Sequence, residues 1–169
     1  KNIKTYSFEP NLENYNILTE NLNINNFNNS VHYNLGLSDS FGELEFYYRK
    51  EKSGHGSFNK KIVKQQNLNL CKIIKVNKLD NINIQGKNIM VKIDIEGHEL
   101  NAIMGMLQLL DSKKIKVFCI EISRTFYGKN IEKEIINLLK KYFTELYIVQ
   151  LNKEMIEIPP LSQYDLICS

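Results

Sequence analysis

The chain has 169 residues, 43% of them hydrophobic and 24% charged, with a formal net charge of +3. That length supports one domain with a sizeable core, and the composition is that of a globular chain. The small charge excludes a strong field for nucleic acid or membrane surfaces, and no apolar run is long enough to span a bilayer.

Residues 4–8 alternate like a short strand, and Pro10 stops it. Asn11 is placed to cap a helix, and Leu12, Tyr15, Leu18 and Leu22 follow at helical spacing, which predicts a helix over 12–22. Asparagine is dense from Asn11 to Asn34, yet the apolar spacing persists, so the segment reads as folded with asparagine on its wet face. A strand is predicted over 31–37, a turn over Ser38–Gly42, and an antiparallel excursion over 43–48.

Residues 49–66 read as the least ordered part of the chain. Lys50, Lys52, Lys60, Lys61 and Lys64 surround the string SGHGSF. Beyond it come a strand over 72–76, a short helical turn near 77–81, and a buried parallel strand over 89–95. Leu100, Ile103, Met104, Leu107 and Leu110 form one helical stripe ending near Asp111–Ser112. A buried strand over 115–122, a helix over 132–143 capped by Asn130, and closing strands over 145–151 and 164–168 complete the chain. No internal repeat is evident.

Alternating strands and helices predict a mostly parallel sheet with helices on both faces, and the last strands predict an antiparallel C-terminal edge. Cys71, Cys119 and Cys168 are odd in number and form no Cys-x-x-Cys pair, which suits free thiols in a reducing, cytoplasmic compartment. Cys119 and Cys168, inside apolar runs, are expected to be buried.

Ligands of open α/β sheets bind at the carboxyl ends of the strands, so the polar strand ends are the candidates. Glu9, in FEPN, can accept hydrogen bonds from a ribose diol or support the helix that follows. In NLGLSD, Gly36 permits close backbone approach and Leu37 can lie against a flat base, or the string is a plain strand-to-turn transition.

The string VKIDIEGHE places Asp94 at the end of an apolar run, where a carboxylate is costly without a partner or a purpose. Glu99 falls in the first turn of the next helix and suits its dipole. His98 is either a general base near neutral pH or a hydrogen-bonded loop histidine. Glu121, in IEIS, shares a side with Cys119 by alternation and either orients Asp94 or His98 or binds backbone. Asp94, Glu96, His98 and Glu121 match no specific metal-binding spacing, and no metal is expected.

The order FEPN, NLGLSD, FGELEF, VKIDIEGHE, IEIS resembles the FkbM family of S-adenosylmethionine-dependent methyltransferases, from about Tyr6 to Ser123. The resemblance implies a class I methyltransferase (Rossmann-like) fold over a single domain, residues 1–169. It implies that Glu9, with Asn11 of the same element, takes the cofactor ribose, that Leu37 and Ser38 lie at the adenine end, and that Asp94 lies at the methionine end. Asp94, His98 and Glu121 would then carry the chemistry on a sugar or glycan hydroxyl. SGHGSF resembles a loop that closes over substrate, with His55 a bystander or part of the lid.

The family's first strand and its glycine-containing cofactor loop have no counterpart in these residues. Since the sequence opens at Lys1, immediately before a strand, they are expected upstream. A noncatalytic binding or scaffold domain that keeps the fold is the alternative. Dispersed positive charges without interleaved aromatics speak against nucleic acid.

Overall fold

The computed structural model describes residues 3–49, 52–65, 67–155 and 157–169, with every side chain among them except those of 52–55 and 64–65. The first strand, β1 (Thr5–Phe8), ends before Pro10, and α1 (Leu12–Ile24) follows. Asn11 caps α1, its side-chain oxygen accepting the Glu13 N–H at 3.0 Å. β2 (Ser30–Tyr33) pairs in parallel with β1.

The strand expected over 31–37 is two strands. Asn34 donates its side-chain amide to the carbonyls of Glu9 and Pro10, at 2.9 and 3.1 Å. The chain bends there, and β3 (Gly36–Leu37) joins a different sheet. β4 (Gly42–Arg49) makes the antiparallel excursion, and β5 (Lys52–Ser57) turns back along it.

The stretch expected to be least ordered, 49–66, thus carries a strand and a helix, α2 (Lys60–Gln65), among its described residues. Gly56 lets this strand form: a Cβ there would meet the Phe46 ring at 2.1 Å. Lys50 and the side chains of Lys52, His55 and Lys64, and with them the His55 lid expectation, lie outside the described residues. β6 (Leu70–Asn77) completes a four-stranded sheet in the order β3-β6-β4-β5, and a 3-10 turn (Leu79–Asn81) follows.

β7 (Ile89–Ile93) is parallel to its neighbour, as expected, but only Ile93 is buried. The helical stripe after it divides into α3 (Glu99–Met104) and α4 (Leu107–Asp111) at Gly105. A Cβ at Gly105 would stand 2.0 Å from the Ser38 carbonyl oxygen, so the break brings this backbone against the end of β3. β8 (Ile115–Ser123) runs straight into α5 (Arg124–Leu139). That helix begins eight residues before the expected start, is kinked at Gly128 (φ 80°), and has Ser123 rather than Asn130 at its cap position. β9 (Leu146–Ile148), β10 (Lys153–Glu154) and β11 (Gln163–Cys168) form the antiparallel edge, giving a five-stranded sheet β10-β9-β11-β8-β7.

The fold is α/β, but its sheets are mixed. β1–β2, β3–β6 and β7–β8 are the parallel pairs, and the remaining pairs are antiparallel. Phe118, Ile120, Ile122, Tyr164, Leu166 and Ile148 form one face of the five-stranded sheet and pack with α3, α4 and α5 in the core. On the other face Met90, Lys92, Cys119, Glu121, Gln163, Asp165 and Ile167 are all half-buried or exposed, and Met90 is 68% exposed. Strand alternation sorts the residues in this way.

The carboxyl end of the core is clamped by Arg124. It donates to both Glu132 oxygens, at 2.7 and 2.8 Å, and to the Pro159 carbonyl. Cys168 is buried, Cys119 is half-buried and Cys71 is exposed, and all three are free thiols. Among the described residues no helix is long and apolar enough to cross a membrane.

Candidate active site

The ends of β1 and β7, each parallel to its own partner strand, line one cavity of about 360 Å³. Its lining includes Glu9, Asn14, Leu37, Phe46, Phe58 and Asp94. Three of the sequence-predicted residues, Glu9, Leu37 and Asp94, thus come together although they lie far apart in the chain.

Glu9 sits just past β1, where Pro10 has ended the ladder. Its Oε1 accepts the Asn11 N–H at 2.8 Å. Burial raises its pKa, and the hydrogen bonds from Asn11 and Asn14 oppose that rise. The carboxylate still has lone pairs to offer toward the cavity, which fits a diol with two donors. Asn11 itself is 1% exposed and caps α1, and it does not line the cavity. Its side-chain nitrogen is buried with no partner among the described residues.

Gly36 and Leu37 form the next wall. A Cβ at Gly36 would meet the Phe58 ring at 2.7 Å, so the aromatic lies against bare backbone. Ser38 is buried behind this wall. Its N–H donates to the Asn77 carbonyl at 2.9 Å, and its hydroxyl lies 3.0 Å from His98 Nε2 and 3.1 Å from Asp39 Oδ1.

Asp94 lies one residue past β7 on the rim of the cavity, exposed, with Lys92 Nζ 3.0 Å from its Oδ2. That hydrogen bond raises the Lys92 pKa, so the lysine keeps its charge beside the carboxylate. The turn that follows has two positive-φ residues, Glu96 (φ 53°) and Gly97 (φ 92°). A Cβ on Gly97 would meet Ile62 at 2.5 Å. Glu99, 1% exposed, accepts the Gly97 N–H at 3.0 Å and the Ile95 N–H at 3.4 Å.

His98 is 9% exposed, packs 5.0 Å from the Phe58 ring, and does not line the cavity. Burial pushes its pKa down to about 4, against a smaller opposing effect of Asp39. It is a neutral fastener between Ser38 and the acid-rich turn, so the structure favours the hydrogen-bonded loop histidine over the general base. Glu121 is also away from the cavity. It accepts from Gln163 at 2.6 Å on the open sheet face, beside the Lys92 charge. Among the described residues no group of His, Cys, Asp and Glu is arranged to hold a metal ion.

The aromatic walls Phe46 and Phe58 were not among the sequence candidates. The alternation of ELEFYY points Phe46 inward, but placing Phe58 needs the pairing of β5 with β4. Asn14 carried a signal too, one turn into the helix after Glu9.

Residues 1–147 match the family described as the methyltransferase FkbM domain. The fold is similar to the crystal structure of methyltransferase FkbM from Methylobacillus flagellatus KT, with a TM-score of 0.60 and 14% sequence identity. The likeness covers 97% of this chain and 36% of that one, so this chain spans about a third of that protein's length. No curated protein matches the chain.

Proposed function

Because residues 1–147 make the chain a member of the FkbM methyltransferase domain family, we propose that it forms the acceptor side and part of the cofactor pocket of an S-adenosylmethionine-dependent O-methyltransferase acting on a sugar or glycan hydroxyl. The observation that carries this reading is the convergence of Glu9 and Asp94, from the carboxyl ends of β1 and β7, on one cavity.

In this reading Glu9 accepts from the ribose diol, and Leu37 with Phe58 offers flat apolar contact to the adenine. Ser38 and Asn11 support these walls from behind. When bound, S-adenosylmethionine supplies an electrophilic methyl group for in-line attack. Asp94 takes the proton of the attacking hydroxyl, and Lys92 holds the Asp94 carboxylate in orientation. Phe46 and Phe58 exclude water from that side of the cavity.

β1 pairs with β2 and β7 with β8, and a second cavity of about 580 Å³ lies between the facing edges of β1 and β7. Tyr6, Phe8, Ile89, Val91 and Met106 are among its lining residues. One additional strand there would join the two parallel pairs into a single sheet and bring a cofactor loop to the Glu9–Asp94 cavity. The free thiols suit action in the cytoplasm.

The test is transfer of an isotope-labelled methyl group from S-adenosylmethionine to a panel of oligosaccharides by the full natural polypeptide. Label in ether linkage to sugar carbon supports the reading. Tight cofactor-product binding with no transfer to any hydroxyl, or no binding by a folded protein, favours the noncatalytic alternative.

A further inference from the structure

The turn that carries Asp94 into the cavity is gripped from two sides. Glu96 and Gly97 both adopt left-handed backbone, which for a non-glycine residue costs on the order of 1 kcal/mol unless the surroundings hold it. From β5, the Ser57 hydroxyl donates to the Glu96 carbonyl at 2.6 Å. From α3, Glu99 directs Oε1 at the N–H groups of Gly97 and Ile95.

The environment of Glu99 is otherwise poor for a carboxylate. Its Oε2 is buried with no partner among the described residues. The Glu121 charge on β8 adds a small like-charge effect, and Tyr127 of α5 is raised in pKa by burial first and then by the Glu99 charge. His98, next to it, is neutral. The amides that favour the charged form are those of Gly97, of Glu99 itself and of Ile95.

We propose that Glu99 is a positioning residue for Asp94: its carboxylate gathers the Ile95 and Gly97 amides and so fixes the direction in which Asp94 enters the cavity. This rests on the reading of Asp94 as the proton acceptor. Burial raises the Glu99 pKa to about 7, so the grip is made by a carboxylate above neutrality and by a weaker neutral acceptor below it.

The test reads the grip without cofactor. The Gly97 amide proton is followed by NMR as pH is raised from about 5 to about 9, spanning the range in which a carboxyl of raised pKa titrates. The expected result is a titration with a midpoint near 7, abolished in Glu99→Gln and retained in Glu121→Gln. A flat Gly97 resonance in the wild type, or a titration that survives Glu99→Gln, overturns the inference. The wild-type curve decides even where the variant fails to fold.

In methyl transfer, Glu99→Gln is expected to lower kcat roughly tenfold with KM for S-adenosylmethionine changed less than about twofold, and to add nothing to Asp94→Asn. Full additivity of the two would overturn the link to Asp94. A Gly97 amide that titrates in a protein transferring no methyl group would instead overturn the reading of Asp94 itself.

Discussion

The buried hydroxyl of Ser57 donates to the main-chain carbonyl of Glu96 at 2.6 Å and accepts the Asn59 N–H at 3.0 Å. One side chain thus ties the β4–β5 hairpin, which carries Phe46 and Phe58, to the turn that follows Asp94. Ser57→Ala takes this partner from a carbonyl and an amide of two half-buried residues, at a cost of about 1 kcal/mol. Denaturant unfolding should show that loss in the midpoint. A change under about 0.5 kcal/mol, the range of an inert surface substitution, would contradict the tie.

Asp94→Asn keeps the shape of the rim and removes the proposed base. Turnover should fall by about 10²–10⁴, the usual contribution of a positioned base, while affinity for S-adenosylhomocysteine changes little. Single-turnover rates and equilibrium titration separate the two quantities. Equal loss in both would make Asp94 a binding group instead.

The two buried ionisable groups of the acid-rich turn act in opposite directions on stability. His98 has its pKa lowered from 6.5 to about 4 by burial. The unfolded chain takes up this proton first, so the His98 contribution is present above pH 6.5 and is lost as pH falls through 4. Glu99 has its pKa raised from 4.5 to about 7. The folded chain holds this proton longer, so its contribution is present below pH 4.5 and is lost as pH rises through 7. Each amounts to on the order of 3 kcal/mol over its window. Melting temperature against pH should therefore be nearly level where the windows overlap. Glu99→Gln should remove the decline on approach to neutrality, and His98→Asn the decline in acid. A Glu99→Gln curve parallel to the wild type would refute this assignment.

The sequence made Glu9 and Asp94 legible because each is a local event: an extended apolar run stops and a carboxylate follows. The open face of the five-stranded sheet was also written locally, since Met90 and Lys92 alternate with Ile89, Val91 and Ile93, but the apolar character of the whole run masked the alternation. What the sequence withheld depends on distant partners. Residues 52–57 have little strand propensity, and they pair because Gly56 clears space for Phe46. His98 looks like a base until Ser38, far away in the chain, is seen to hold it. The division of the helical stripe at Gly105 is set by the Ser38 carbonyl in the same way.

The central claim is that Glu9 and Asp94 face one S-adenosylmethionine site. It is tested most directly by calorimetric titration of S-adenosylhomocysteine into the full natural polypeptide and its Glu9→Ala variant. Loss of two charge-assisted hydrogen bonds to a ribose diol should weaken binding by about 1.5–3 kcal/mol or more, at least roughly tenfold. Wild-type binding left unchanged by Glu9→Ala would contradict the placement of the ribose and, with it, the account of the cavity.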